Sequence, residues 1–286
     1  MAGRLRHRGG LLNPILVAHL IPTIERHLLD LLRSLAPAEW EAQTVAPSWT
    51  VKDVTAHLLD THIRRLSMAR HGARPGPRPM ITSAADLVSL VNRLNREGVE
   101  KYRSFSPEVL ISMMEAASRR AAEHFASLDP FGQAPIGVSW AGEETSLNWF
   151  DTAREFTERW HHQQQIRLAT GKPGIMTREL YYPVLDCFMR ALPFTYRDQP
   201  GEPGTHARFN VSGDCGGSWF LHRDEANWRL IESAPGRQAS ETTIPQEIAW
   251  RIFTKGIDAR SAEGQVTVDG DRTLGLHILR MVSIVG

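Results

Sequence analysis

The sequence predicts two joined folds: an all-α bundle over residues 1–174 and a smaller α+β domain over 175–286. Three observations predict this. Apolar residues recur at three- and four-residue spacing before Gly174, and no segment there alternates like a strand. Helix start and stop signals punctuate those segments. After Gly174 the chain turns to short segments rich in aromatic and β-branched residues, separated by Gly- and Asp-containing turns. At 286 residues and 42% hydrophobic composition, the chain can bury the cores of one large domain or two ordinary ones.

The first helix is expected over 22–35, where Leu28, Leu29, Leu31, Leu32 and Leu35 form an apolar stripe that ends before Pro37. The next helix has a full start signal. Thr50 is placed as N-cap with Asp53 three residues on, and Trp49 and Val54 are spaced for a hydrophobic staple. It should run to about Arg70, where 72–79, with three prolines and two glycines, forms a loop. Ser83 opens a third helix through Leu87, Leu90, Val91 and Leu94. Ser106-Pro107 opens a fourth through Leu110, Met114 and Phe125, because proline suits the first helical turn. Residues 129–145 read as a loop, and a long helix follows over 147–169, stopped by Gly171 and Pro173. In the second domain a helix over 177–192 precedes strands at 207–211, 218–222 and 228–231. A helix over 245–254, a strand at 266–268 and a last helix through Leu274, Leu276 and Leu279 complete it.

Charge and cysteine content exclude several functions. Lys plus Arg is 33 against 32 Asp plus Glu, a net charge of +1, so there is no basic excess of the kind that neutralises phosphates. Arg4, Arg6, His7 and Arg8 read as a solvated tail. Cys187 and Cys215 have no CxxC spacing, which argues against a disulfide framework or zinc knuckle. The apolar run 15–21 is interrupted by His19, meets Pro22, and is too short to span a bilayer. A cytoplasmic protein acting on a small molecule, without nucleic acid or membrane, is the expectation.

Most of the 12 histidines lack a partner at useful spacing. Glu158-Arg159-Trp160-His161-His162 differs. Residues four apart on a helix lie ~6 Å apart along the axis and nearly share a face, so Glu158 and His162 can address one ion. The same spacing also serves an ordinary helix-stabilising contact. Imidazole nitrogen with carboxylate oxygen suits zinc and similar divalent metals. A third donor must come from another helix. His57, one turn from Val54 and beside Leu58, is the best placed, although a hydrogen-bonded core histidine would look the same. His62 is rotated about 140° from His57, and His161 about 100° from His162, so neither should face the same ion. His161 is left for the rim.

The segment Pro47-Ser48-Trp49-Thr50-Val51-Lys52-Asp53-Val54-Thr55-Ala56-His57-Leu58 resembles the signature of the DinB-like metal-binding bundle of mycothiol-dependent maleylpyruvate isomerases. Ala36-Pro37-Ala38-Glu39-Trp40 resembles the lead-in of that family, and Glu158-x-x-x-His162 before Thr170-Gly171-Lys172-Pro173 its last long helix. The resemblance implies a four-helix-type bundle with metal ligands His57, Glu158 and His162, followed by a smaller domain of sterol-carrier-like α+β architecture. It covers nearly the whole chain. Gln163-Gln164-Gln165 depart from it, standing where an Asp or other polar residue often follows the second histidine.

The function that the resemblance implies is divalent-metal-dependent chemistry on a low-molecular-weight thiol, mycothiol being the leading case and zinc the leading metal. Two histidines and one carboxylate leave coordination positions open, the mark of a catalytic site. A metal acidifies a bound thiol, and the thiolate is the nucleophile. Isomerisation would proceed by thiolate addition to a conjugated double bond, rotation and expulsion, while S-transfer would use the same activation. Arg64, Arg65 and Arg251 are cations of the kind that suits an anionic substrate, though each reads first as a surface residue. Two alternatives stay open: a metal-dependent hydrolase that activates water, and a non-catalytic metal- or ligand-binding protein of the same fold.

Overall fold

The computed structural model describes residues 12–71, 84–234, 236 and 238–284. The basic tail at Arg4–Arg8, the loop at 72–79 and the Ser83 cap lie outside the described residues. The chain divides into two compact units. One comprises residues 16–135 and 146–184, and the other is built mainly from 185–284 with the short segment 136–145.

The first unit is helical. Helices α1 (Ile21–Arg33), α2 (Val51–His71), α3 (Ala84–Tyr102), α4 (Pro107–Ser127) and α5 (Asn148–Thr170) appear where hydrophobic periodicity places them. The start of α2 is a reciprocal cap. The Thr50 backbone N–H donates to Asp53 Oδ2 at 3.1 Å, and the Asp53 N–H donates to Thr50 Oγ1 at 3.3 Å. Ser106 caps α4 by accepting from the Val109 N–H. Gly171 ends α5 at φ 65°, the left-handed position that glycine takes without steric penalty. Leu28, Leu31, Leu32, Trp40, Val51, Val54, Leu58, Leu59, Leu110, Met114 and Ile166 form the apolar core. At Gly98 an added Cβ would lie 2.4 Å from Asp60 Oδ2, so α3 comes against α2 there because that residue has no side chain.

Helix α5 is buried on nearly all sides, although many of its residues are polar. An ionic network engages its charged residues Asp151, Arg154, Glu155 and Arg159. Arg65 of α2 makes a bidentate pair with Asp151 (2.8 and 3.0 Å) and reaches Glu155 at 2.7 Å. Arg154 bonds both acids, and Arg159 links Glu155 at 2.8 Å to Glu25 of α1 at 2.7 Å. Arg65 is therefore a buried structural cation rather than the surface residue expected of it. Trp160 stacks on Tyr181 at 4.3 Å, and its indole N–H donates to Ile175 O.

Helix α6 (Arg178–Met189) crosses from the first unit into the second, and α7 (Leu192–Tyr196) follows it. The expected single helix over 177–192 is thus two. Strands β1 (His206–Ser212), β2 (Gly217–Arg223), β3 (Trp228–Ile231), β4 (Ser240–Pro245) and β5 (Thr267–Gly270) form one sheet in the order β3-β2-β1-β4-β5. Only the β1–β4 pairing is parallel. One sheet face is buried through Ala207, Phe209, Val211, Trp219, Leu221, Thr242 and Ile244. Helices α8 (Gln246–Phe253), α9 (Ala259–Glu263) and α10 (Arg272–Leu276) complete the unit. Strand β4 and helix α9 were not anticipated. The Ser240-Glu241-Thr242-Thr243 run is polar, and the Ser240 and Thr242 hydroxyls are buried beneath α10. An added Cβ at Gly275 would sit 2.6 Å from Ser240 Oγ. The mixed helical and sheet architecture is the expected one. No described helix is long and apolar enough to cross a membrane.

Candidate metal centre

The Thr50 cap starts α2 at Val51, so His57 falls two turns in, on the face turned to the bundle interior. Glu158 and His162 lie one turn apart on α5. The two helices bring all three together: one donor atom from each of His57, Glu158 and His162 lies within 4.8 Å of the others. His162 Nε2 is 3.3 Å from Glu158 Oε2. Donors 2.0–2.1 Å from a tetrahedral ion stand roughly 3.3 Å apart, so this pair already has that spacing. The His57 and His162 rings meet edge to face at 4.6 Å.

The electrostatics suit a cation. Burial and then the neighbouring His162 push the His57 imidazole well below its ordinary pKa, which leaves it neutral with a lone pair to offer. Its Nδ1 is buried with no hydrogen-bond partner, a costly arrangement for a polar atom unless something else satisfies it. Burial alone would raise the Glu158 carboxyl. The His162 hydrogen bond and the charges of His161, His162 and Arg154 outweigh that and hold it at about 2. The centre therefore combines an ionised carboxylate with a neutral imidazole around a site of positive demand.

The remaining histidines have other engagements. His62 Nδ1 faces Leu58 O and its Nε2 faces Glu25 Oε1, both at 2.5 Å, so both nitrogens are occupied away from the cluster. His161 is buried rather than at a rim. Its Nδ1 meets Thr157 O at 3.2 Å, and burial followed by His162 lowers its pKa to about 3. Two contributors were missed in the sequence. The Trp49 indole packs on His57 at 4.8 Å and on His162 at 6.0 Å, so this residue, expected only as a staple, forms a wall of the centre. Gln165 Oε1, an acceptor, lies 2.9 Å from His162 Nδ1. Its i+3 spacing from His162 was the available signal.

Fold and site together define a helical-bundle protein with an interior His–Glu–His cluster, joined to a small α+β unit. The family described as the mycothiol maleylpyruvate isomerase N-terminal domain matches residues 21–167, and the chain belongs to that family. Two crystal structures of the mycothiol-dependent maleylpyruvate isomerase, one of them a point mutant, resemble most of the chain. The first is 14% identical with a TM-score of 0.52, and the mutant is 13% identical with a TM-score of 0.51. Each match covers 88% of this chain and 91% of that one, a likeness of fold. A ubiquinone synthesis protein of SCP2 type matches 34% of the chain at a TM-score of 0.26, too low to name the architecture of the second unit. No curated protein sequence matches.

Proposed function

We propose that this chain is an enzyme of thiol chemistry, an isomerase or S-transferase that uses a low-molecular-weight thiol such as mycothiol on a small electrophilic substrate in the cytoplasm. We further propose that His57, Glu158 and His162 hold a divalent metal, with zinc the first candidate from the donor set. The observation that carries this is the convergence of the three donors from α2 and α5, with His57 Nδ1 buried and unsatisfied among them. The structural relatives are mycothiol-dependent, which supports the choice of a thiol.

An ion in such a site supplies Lewis acidity and acidifies a thiol or water beside it. The chain's own residues do the rest. Glu158 stays ionised across the working pH range. His57 stays neutral and does not lose its lone pair to a proton. Trp49 packs against the His57 ring and lies beside that of His162. The domain division at 174–175 is part of the same reading, with the bundle supplying the ligands.

Elemental analysis of the purified protein tests the reading. Near-stoichiometric zinc or another divalent ion is expected in the wild type. It should be lost in His57→Ala, Glu158→Ala and His162→Ala with helical content retained. A wild type that neither carries a metal nor takes up zinc, nickel, manganese or iron would sink the metal centre. A metal-loaded protein that turns over maleylpyruvate-like electrophiles equally with and without thiol would sink the thiol chemistry.

A further inference from the structure

We propose that Gln165 is the positioning residue of the centre. Its carboxamide oxygen accepts a hydrogen bond from the Nδ1–H of His162, which fixes the ring so that Nε2, beside Glu158, is the nitrogen left for a metal. This rests on the metal-centre reading for its purpose, but not for its geometry.

His162 Nδ1 lies 2.9 Å from Gln165 Oε1. An amide oxygen only accepts, so Nδ1 must carry the hydrogen. A neutral imidazole has one N–H. With Nδ1–H committed to Gln165, Nε2 faces Glu158 Oε2 at 3.3 Å, a place where either a proton, as in the hydrogen bond that lowers the Glu158 pKa, or a metal ion can bridge the two. By holding the hydrogen on Nδ1, Gln165 leaves Nε2 as the atom that can face a metal ion beside Glu158. The ring is 6% exposed and Gln165 is 5% exposed, so water competes poorly for the Nδ1 hydrogen. The helix sets the register: Gln165 is one turn beyond His162 and Glu158 one turn before it, so one ring is gripped from both sides by α5.

The neighbouring glutamines have different tasks. Gln163 Nε2 donates to Ile24 O, and its oxygen accepts from Arg167. Only Gln165 of that run bonds a member of the cluster among the bonds of the described residues. The reverse amide orientation would have a distinct consequence. The Gln165 NH2 would donate to Nδ1, the ring hydrogen would sit on Nε2 against Glu158, and His162 would have no lone pair for a metal. Outer partners of this kind tune metal affinity by roughly 10–100-fold.

The test uses the full chain with nitrogen-15-labelled histidine, together with Gln165→Leu, which removes the acceptor, and Gln165→Glu, which keeps it. Long-range proton–nitrogen spectra of the metal-free wild type should show the His162 proton on Nδ1, and this signal should shift in Gln165→Leu. Competition with a chromophoric chelator should show zinc bound roughly 10–100-fold more weakly by Gln165→Leu, and at least as tightly as wild type by Gln165→Glu. A wild-type Nδ1 without a proton overturns the proposal, as does a Gln165→Leu protein that binds zinc like wild type. Should wild type bind no zinc at all, the metal-centre reading falls, and the nitrogen spectra alone decide the tautomer. If Gln165→Leu does not fold, the wild-type spectrum and Gln165→Glu carry the decision.

Discussion

At Thr50 a single side chain sets where α2 begins, and with it the angular position of His57 seven residues on. The Thr50 hydroxyl accepts the Asp53 N–H, and Asp53 returns a bond to the Thr50 N–H. Loss of such a cap typically costs ~1 kcal/mol. Thr50→Ala should therefore lower the urea midpoint, followed by far-ultraviolet circular dichroism, by an amount equivalent to about 1 kcal/mol, while Thr50→Ser should lose much less. Equal midpoints for wild type and Thr50→Ala would show that the cap is redundant. This residue-level device was legible in the sequence, because capping depends on a local spacing. The Trp49 stacking on two imidazoles was not, because the ring on the second histidine comes from a residue more than a hundred positions away.

At the scale of the element, α5 is a polar helix in a buried place. Its side chains are tolerated there because three guanidinium groups, Arg65, Arg154 and Arg159, meet the carboxylates of Asp151, Glu155 and Glu25. Removing one partner of such a network strands a buried charge, typically a loss of about 3–5 kcal/mol. Arg65→Met, which keeps the apolar stem, should destabilise the protein by that order. A double variant with Asp151→Asn should recover part of the loss. Urea titration of the single and double variants checks this, and a purely additive double variant would deny the coupling. Helical periodicity located α5 in the sequence, but it did not disclose that Arg65 is interior. A lone arginine on an amphipathic helix looks like surface until its carboxylate partners are found 86 and 90 residues away.

At the scale of the whole molecule the same network sets a pH dependence. Burial alone would raise Glu25 and Glu155. The charges of His62 and Arg159 on Glu25, and of Arg65, Arg154 and Arg159 on Glu155, outweigh it and lower both below the ordinary carboxylate value of 4.5. A carboxylate with a depressed folded pKa stabilises the fold fully above its unfolded pKa. That stabilisation is lost as pH falls toward the folded value. The share of stability from these carboxylates should thus be constant above about pH 6 and fall below about pH 4.5, on top of the loss that the lowered His57 and His161 cause as pH falls below about 6.5. Urea midpoints measured from pH 7 to pH 3 test this. Glu155→Gln should start lower and show a shallower acid slope, and an unchanged slope would exclude Glu155 as a source.

The sequence by itself determined the helical bundle, the α+β texture after it, the caps of α2 and α4, and the Glu158–His162 pair, to which the family resemblance added His57. These follow from local rules: hydrophobic period, capping spacing, and the fixed angular step that puts Glu158 and His162 on one face. Only the tertiary structure decided which nitrogen of His162 is engaged, that both nitrogens of His62 are committed elsewhere, that β4 is a strand, and that Arg65 is buried. Each of these depends on a contact between residues far apart in the chain. Such contacts are set by how faces pack and which buried polar groups find partners, and no spacing along the sequence encodes that pairing.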